Sequence, residues 1–333
     1  MDNDNQDLGV QATREAEQIL KQTLGVSVTL TRTTFMKNNG HVKKAIIAKI
    51  KGDSSSPTIY TDIDKRLQNG ETVTEIATEL AASVLTAIEA KPDFDVSSIT
   101  APNAPHHITL EVINAEKNRE LLRRTPHYII ADGDLAVIPR WKITNDASFV
   151  ITNDITSNLG MTNDEVLKIG QNNINQTDFS IKTMRETMLD IFAKDGMDPS
   201  FAEAMLPEGE GTDMIVMTTQ DNYMGAKGLL SKKALDTIKE KLEGQDFFIL
   251  PTSVHDVICI ADNGKMKLSD LKEMVQSVNA TEVSPQDFLS NNVFKYDGNK
   301  LKLAVDDLKM TIDNTTKFVM DGMRAPAKMA MKM

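Results

Sequence analysis

The chain has little cysteine, few aromatic residues and no long apolar run. Its single cysteine, Cys259, excludes an intrachain disulfide and a cysteine-based zinc site. No apolar run approaches the roughly 18 residues that a membrane-spanning helix needs, and the polar, acidic residues 1–7 do not have the pattern of a signal peptide. We therefore expect a cytoplasmic protein that is neither exported by that route nor inserted in a membrane.

Acidic side chains are in excess. Asp and Glu number 48 against 37 Lys and Arg, which gives a formal net charge of -11 at pH 7. This charge repels phosphate backbones and anionic lipid headgroups, so we expect neither nucleic acid nor a membrane as a partner. The hydrophobic fraction of 40% is enough for a buried core. Because single cores stop growing near roughly 250–300 residues, the 333 residues favour two lobes.

The first part of the chain predicts two helices around an antiparallel sheet. Apolar residues at helical spacing in residues 11–24 predict the first helix. Alternating apolar residues on both sides of Asn38–Gly40 predict two strands joined by a tight turn, and residues 58–61 predict a third strand. A capping box at Thr72 begins a long helix whose apolar stripe extends to Ile88.

The rest of the chain predicts a mixture of strands and helices. The strands are expected at residues 135–143, 148–152, 214–218, 247–250, 254–261 and 293–296. The helices are expected at residues 162–170, 181–193, 231–242 and 268–278, and one more is expected to begin at Ser284. The fold class is therefore α+β, with an antiparallel N-terminal sheet and a long helix, and with a C-terminal lobe built on a strand–helix–strand unit.

The predicted divisions are an N-terminal helix, an N-terminal α+β lobe, a C-terminal α/β lobe and a helical extension with a tail: residues 1–25, 26–152, 153–304 and 305–333. Beyond Ala304, residues recur at spacings of three and four, which is typical of a seam that packs against another helix: Val305, Leu308, Ile312, Thr315 and Val319. We therefore expect a protein partner, or self-association, through the terminal helices.

Residues 248–260 are the first candidate site. Two apolar runs are joined there by a polar turn in which His255 stands beside Asp256. An imidazole oriented by a carboxylate is the usual arrangement of a general base, but neighbours in a strand point to opposite faces, so Asp256 does not simply orient His255. The alternative is structural, with the pair closing the turn by bonding to backbone. Both faces after the turn are apolar, which predicts a strand inside the sheet.

Two further segments could bind an anion. Residues 221–228 come closest to a glycine-rich phosphate loop, but they lack its Gly-Lys-Ser/Thr ending and serve equally well as a turn and helix entry. His127 follows a basic stretch, which suits an anionic ligand or a solvated helix face. The candidate ligand-binding residues are His127, Asn222, Tyr223, Ser253, His255 and Asp256.

Two pairs of residues carry potential metal ligands. Asp62 and Asp64 could together hold a hard cation, although helix capping is the more common role. The adjacent His106 and His107 bind one metal only if the backbone bends to aim both rings together, and the alternative is an exposed pair in a connector. Neither spacing matches a metal motif, so we predict no metal and no cofactor.

Short landmarks occur in a fixed order along the chain: Lys37-Asn38-Asn39-Gly40, residues 56–60, Asn69-Gly70, Pro126-His127, residues 151–153, Asn222, Gly225-Ala226, residues 249–257, residues 273–275, Val278-Asn279, Leu289-Ser290 and Tyr296-Asp297. With them the chain resembles the bacterial domain-of-unknown-function family 5688 from about Thr31 to Leu303. The chain departs from the family pattern at Asp256, where a glutamate is usual, and at residues 135–141, where a longer tyrosine-rich strand is usual. The resemblance implies a fold and a bacterial cytosolic setting, without a reaction.

Two function hypotheses from different classes follow. The absence of a spaced catalytic constellation favours a non-enzymatic binding or regulatory protein. The alternative is a hydrolase or anion-processing enzyme that uses His127, His255 and the loop at Asn222 in one cleft. The sequence leaves open whether the protein is an enzyme.

Overall fold

The computed structural model describes residues 2–53, 56–90, 94–144, 147–206, 214–296, 298 and 300–305, with side chains from residue 8 onward. The chain forms two compact units, Met1–Thr100 and Ala101–Met333. The lobe boundary predicted at residues 152 and 153 thus lies inside the second unit.

The first unit packs helices on an antiparallel sheet. Its elements are α1 (Asp2–Leu24), β1 (Val28–Met36), β2 (Val42–Ile50), β3 (Thr58–Tyr60), α2 (Ile63–Gln68) and α3 (Val73–Glu89). The strands have the order β1-β2-β3. The turn between β1 and β2 holds Asn39 and Gly40 at φ of 61° and 67°, the positive values that the Asn-Gly pair predicts.

One face of this sheet, with α1 and α3, encloses a core of small and branched apolar residues. Leu20, Ile46 and Ile76 lie at its centre. The predicted capping box begins α3, since the Thr72 side chain accepts from the N–H of Glu75 and the Glu75 side chain accepts from the N–H of Thr72. The N-terminal sheet and long helix of the prediction are therefore confirmed.

The carboxylates of Asp62 and Asp64 have local partners. Asp62 caps α2 by accepting from the N–H of Lys65 at 3.2 Å. Asp64 lies 2.5 Å from the guanidinium of Arg32 and 3.1 Å from the ammonium of Lys44. The capping interpretation of Asp62 is confirmed, and within the described ranges no group of three or more His, Cys, Asp or Glu side chains could hold a metal ion.

The second unit contains two antiparallel sheets. Its helices are α4 (Ala104–His107), α5 (Arg119–Leu122), α6 (Asn153–Asn158), α7 (Asn163–Gln176), α8 (Met184–Lys194), α9 (Pro199–Met205), α10 (Lys232–Lys241) and α11 (Leu268–Thr281). Its strands are β4 (Ile108–Asn114), β5 (Tyr128–Ile130), β6 (Leu135–Lys142), β7 (Ser148–Val150), β8 (Phe179–Thr183), β9 (Met214–Thr219), β10 (Phe247–Leu250), β11 (Asp256–Ala261), β12 (Phe294–Tyr296) and β13 (Leu301–Leu303). One sheet has the order β4-β6-β5 with β7 paired to β6, and the other has the order β13-β12-β10-β11-β9-β8.

Both sheets contribute to one hydrophobic core. Leu110 and Val137 of the first sheet share it with Ile215 and Ile249 of the second. This common core holds β4 to β7 in the second unit. The α+β class is confirmed.

Three local predictions need correction. Residues 179–183 form β8 before the helix begins, because Thr183 caps α8 in a capping box with Glu186. Ser284 begins a single turn, in which the N–H groups of Asp287 and Phe288 both donate to its carbonyl. β4, β5 and β13 were not predicted.

Beyond Val305, the predicted seam and tail lie outside the described residues. No described helix has the length and apolarity required to cross a membrane.

Candidate functional site

β11 lies inside the six-stranded sheet, between β10 and β9. Its alternate side chains enter two cores, with Val257 and Cys259 on one face and Ile260 on the other. The predicted interior strand is therefore confirmed. Because the faces alternate, His255 and Asp256 at its start point to opposite sides.

The His255 imidazole has a partner at each ring nitrogen. The N–H of Met224 donates to Nδ1 at 3.2 Å, and Nε2 lies 3.3 Å from Oδ1 of Asp287. Since Nδ1 accepts, the neutral ring is assigned its proton on Nε2, facing Asp287. In this arrangement neither ring nitrogen is left for a substrate.

The turn after Ser284 delivers Asp287 to this position. The hydroxyl of Ser284 donates to Oδ2 of Asp287 at 2.6 Å, and the N–H of Val254 donates to the carbonyl of Asp287 at 2.9 Å. The Ser253 hydroxyl accepts from the N–H of His255 at 3.0 Å. Ser253 and His255 thus both belong to the hydrogen-bond network that closes the turn before β11.

Asp256 is half-buried on the other face. Burial raises the pKa of its carboxyl group, while the neighbouring His255 acts to lower it. Among the described residues, the Asp256 carboxylate makes no hydrogen bond. The carboxylate that orients His255 is therefore that of Asp287, and Asp256 lies on the opposite side of the strand.

Hydrogen bonds to other parts of the protein hold the loop after β9 in place. Asn222 and Met224 have positive φ of 53° each, and the N–H of Tyr223 donates to the Thr219 hydroxyl at 2.9 Å. The backbone N–H groups from Asn222 to Ala226 all have partners inside the protein. These groups are therefore not available to cradle a phosphate.

Close backbone approach requires glycine at position 225. The N–H of Gly225 donates to the carbonyl of His255 at 2.9 Å. A Cβ atom at this position would overlap that carbonyl oxygen and lie 2.5 Å from the Cα of Thr218. The loop and the start of β11 are thus in direct backbone contact, with His255 fixing both.

The loop after β9 lines a cleft of about 550 Å³. The ends of α4, β6 and α7 complete its walls. Its basic lining residues are His106, His107, Lys142 and Lys227. Of the candidate residues only Tyr223 lines it, and the Tyr223 ring lies 5.5 Å from that of His255. Exposed His127, whose Nδ1 lies 2.9 Å from the Thr125 carbonyl, is not part of the lining.

Lys227 is the half-buried cation of the cleft. Burial lowers its pKa to about 8, and the nearby charges of Lys142 and Arg140 act in the same direction. Glu111 and Asp221 oppose this effect. Among the described residues the Lys227 ammonium makes neither a hydrogen bond nor an ion pair.

The buried acid that acts on Lys227 is already paired. Glu111 is only 5% exposed, and its carboxylate lies 2.8 Å from the guanidinium of Arg140. Arg140 also donates to the hydroxyl and the carbonyl of Ser148, each at 2.8 Å. Glu111 therefore forms its ion pair with Arg140. It attracts the ammonium of Lys227 only over a longer distance.

The two adjacent histidines differ in their surroundings. His107 stacks on Trp141 with ring centroids 5.1 Å apart and an interplanar angle of 4°, and its Nδ1 lies 2.8 Å from the Lys142 carbonyl. His106 is exposed. The exposed-connector interpretation of the pair therefore applies to His106 and is wrong for His107.

Sequence reasoning singled out neither Lys227 nor Lys142. Lys227 stands alone among small and apolar neighbours, since Gly225, Ala226, Gly228 and Leu229 around it are all buried. A single lysine in such a segment is the signal that could have identified it, because lysine is seldom buried without a reason.

Comparison with known proteins identifies the family of the chain. The family model DUF5688, described as a family of unknown function, covers residues 13–298 of the chain. No curated protein and no solved structure matches the chain.

Proposed function

The chain belongs to DUF5688, a family of unknown function, and from that starting point we propose that its second unit is a non-enzymatic binding module for a small anion. The observation that carries the proposal is the half-buried ammonium of Lys227 at the wall of the cleft, without an acidic partner in hydrogen-bond reach among the described residues. A buried charge without a partner destabilises the fold, and a bound anion would supply that partner.

The lining of the cleft holds two lysines, Lys142 and Lys227, and two aspartates, Asp178 and Asp221. Asp178 at the rim lies 3.1 Å from Lys233, and Glu111 is held by Arg140. Lys142 adds a second cation to the lining. A volume of about 550 Å³ suits a small carboxylate or phosphate compound, since ligand clefts are typically about 300–1,000 Å³.

The surroundings of His255 support a binding module over the alternative hydrolase. A general base needs a free nitrogen within reach of a substrate proton, and both His255 nitrogens face protein partners. His127 is held in its own turn by the Thr125 carbonyl. The role that these contacts support for His255 is to hold the loop that presents Tyr223 and Lys227.

Isothermal titration calorimetry with sulfate, inorganic phosphate and citrate tests the proposal. At least one of these anions should bind saturably to the intact protein, and Lys227→Met should weaken binding at least tenfold. Lys49→Met, at an exposed lysine of the first unit, is the matched control and should bind as the parent does. Equal binding by the parent and Lys227→Met would contradict the proposal, and turnover of a phosphate ester that His255→Ala abolishes would favour the hydrolase instead.

The setting and the protein partners are also proposals. The buried free thiol of Cys259 and the net charge of -11 are consistent with a reducing bacterial cytosol and with the absence of a nucleic-acid partner. Contact with a protein through the terminal helices is supported by Leu8 and Val10 of α1, which are 39% and 37% exposed. Light scattering of the full chain and of a Leu8→Ser, Val10→Ser variant tests self-association through these helices. The mass of an associated species is expected for the parent and should be lost in the variant.

A further inference from the structure

A second cleft, of about 640 Å³, is lined by edge strands of both sheets of the second unit. Residues 128–133 of β5 and the following turn form one side, and Gly298 with residues 300–302, which include β13, form another. Side chains of successive strand residues point to opposite faces, so a run of neighbours in one lining means that the strand backbone itself faces the cleft. Among the described residues, the lining shares no member with the cleft at Lys227.

The free edge of β5 presents the backbone of Ile129. The N–H of Ile151 donates to the Pro139 carbonyl at 3.0 Å, so odd-numbered residues of β6 bond on the side of β5 and β7. Tyr128 and Ile130 lie opposite odd-numbered residues of β6, and the N–H and C=O of Ile129 between them therefore point away from it. These two groups have no hydrogen-bond partner among the described residues, and Ile129 is 48% exposed.

The free edge of β13 presents the backbone of Leu301. The N–H of Ala304 donates to the Val293 carbonyl at 2.8 Å, so even-numbered residues of β13 bond to β12. The backbone groups of Leu301 and Leu303 therefore point to the other side. The Asp132 carboxylate accepts from the N–H of Leu303 at 2.9 Å, whereas the Leu301 backbone has no hydrogen-bond partner in the described part of the chain.

A strained turn fixes the contact between Asp132 and Leu303. Ala131, Asp132 and Gly133 have φ of 55°, 53° and 101°. Positive φ is uncommon for residues other than glycine, and it persists where the surrounding structure enforces it. A side-chain carboxylate, and not a backbone ladder, thus joins the two edges at this point, and the backbones of Ile129 and Leu301 are left facing one cleft.

The side chains of the lining favour an apolar occupant. Tyr128, Leu230 and Tyr296 line the cleft and are only half-buried, although all three pack against the core of the unit. The lysines of the lining already have interactions within the protein: Lys232, Lys300 and Lys302. Uncovered apolar surface and unpaired strand backbone are therefore what the cleft offers a ligand.

We propose that this cleft binds an extended apolar peptide segment of a partner protein, which adds as a strand to the free edges of β5 and β13. Extended peptides bind sheet edges through main-chain hydrogen bonds, and their alternate side chains give specificity. Each edge strand has three residues and is about 10 Å long, which suits a segment of roughly three to five residues. The side chains that point inward should be aliphatic or aromatic, since they would cover Tyr128, Leu230 and Tyr296.

A phage-displayed library of random heptapeptides, panned on the intact protein, supplies the probe. Sequences with alternating apolar residues should be enriched, and a synthetic peptide of the enriched sequence should bind saturably in fluorescence anisotropy. Ile129→Pro should weaken this binding about tenfold or more, because proline removes the N–H that faces the cleft without removing a bond to β6. Ile129→Val keeps that N–H and is the matched control, which should bind as the parent does.

Leu230→Glu is a second variant, which places a charge in the lining without a change in either strand and should also weaken binding about tenfold or more. Thermal melts of both variants check that they fold. Hydrogen exchange on the parent needs no variant. The amides of Ile129 and Leu301 should exchange quickly in the free protein and about tenfold more slowly with the peptide bound.

Failure of the library to enrich any sequence would overturn the proposal, as would a peptide that binds both folded variants as tightly as the parent. Slow exchange of both amides in the protein alone would show that a segment of its own chain fills the cleft. Protection that rises with protein concentration would assign the cleft to a second copy. Either result would also overturn the proposal.

Discussion

His255 pairs with Asp287 and not with its sequence neighbour Asp256: the imidazole Nε2 lies 3.3 Å from the Asp287 carboxylate, and the Met224 N–H donates to Nδ1. The ring thereby joins the loop after β9, the start of β11 and the turn after Ser284. Three segments that are distant in sequence depend on one side chain. This arrangement supports a structural role for His255 beside a cleft that other residues line.

Replacing His255 with alanine should lower the free energy of unfolding by about 1–3 kcal/mol, because the Met224 N–H and the Asp287 carboxylate lose their partner. Urea unfolding at pH 7 measures the change. Anion binding should weaken only as far as the loop loosens. An unchanged unfolding midpoint together with lost anion binding would make His255 a ligand-contacting residue and contradict the structural interpretation.

Replacing Asp256 with asparagine should not destabilise the protein at pH 7. Burial raises the folded-state pKa of this carboxyl above 3.8, so the folded state holds its proton more tightly than the unfolded state. The contribution of Asp256 to stability therefore falls as the pH rises from 3.8 through the folded-state pKa. The free energy of unfolding should be higher for Asp256→Asn than for the parent at pH 7. The two values should converge toward pH 3. A loss of stability at pH 7 would show a favourable carboxylate contact.

Replacing Gly225 with alanine should destabilise the protein by about 1–3 kcal/mol or more, because the new methyl group would collide with backbone of His255 and Thr218. Gly228→Ala is the control. Its added Cβ meets the flexible side chain of Met217, which can move, so a smaller loss is expected. Thermal melts of both variants give the comparison, and equal losses would show that the loop relaxes.

Local signals predicted much of the fold. The Asn38–Gly40 turn and the capping boxes at Thr72 and Thr162 act within a few residues, and all three occur as predicted. The same signal was present at Thr183 and Glu186, but residues 181–183 were assigned to the helix. β4 was missed although the apolar residues Ile108, Leu110 and Val112 alternate with the polar Thr109 and Glu111, which is the pattern of a strand.

The cleft was less predictable, because its properties depend on tertiary contacts. Asp287 reaches His255 only after the turn at Ser284 folds against residues 252–254. The low pKa of Lys227 depends on burial and on the strand residues Lys142 and Arg140. Neither relationship leaves a spacing in the sequence. The loop residues around Asn222 and Tyr223 were predicted as a possible site, yet their backbone N–H groups are used internally.

Replacing Lys227 with methionine should stabilise the protein at pH 7. The folded-state pKa of about 8 lies below the ordinary 10.5, so keeping Lys227 protonated costs the folded state roughly 3 kcal/mol. Lys227→Met removes this cost while retaining a side chain of similar length. Urea unfolding at pH 7 should show a free energy of unfolding higher than that of the parent by up to roughly 3 kcal/mol. This difference should shrink as the pH rises through 8 and disappear near 10.5. A loss at pH 7 would mean that Lys227 has a favourable partner in the fold.

The pH dependence of sulfate binding tests the role of Lys227 most directly. Sulfate keeps a constant charge between pH 7 and 9.5, so a change in its affinity reports on the protein. A bound anion favours the charged ammonium and raises the pKa of Lys227 from about 8, which requires proton uptake on binding at and above that pH. The dissociation constant should therefore increase above pH 8, by up to about tenfold per pH unit. Calorimetry in two buffers of different ionisation enthalpy should detect the proton, and Lys227→Met should show neither effect. A parent protein that binds sulfate equally well at pH 7 and pH 9.5 would exclude Lys227 as the group that holds the anion.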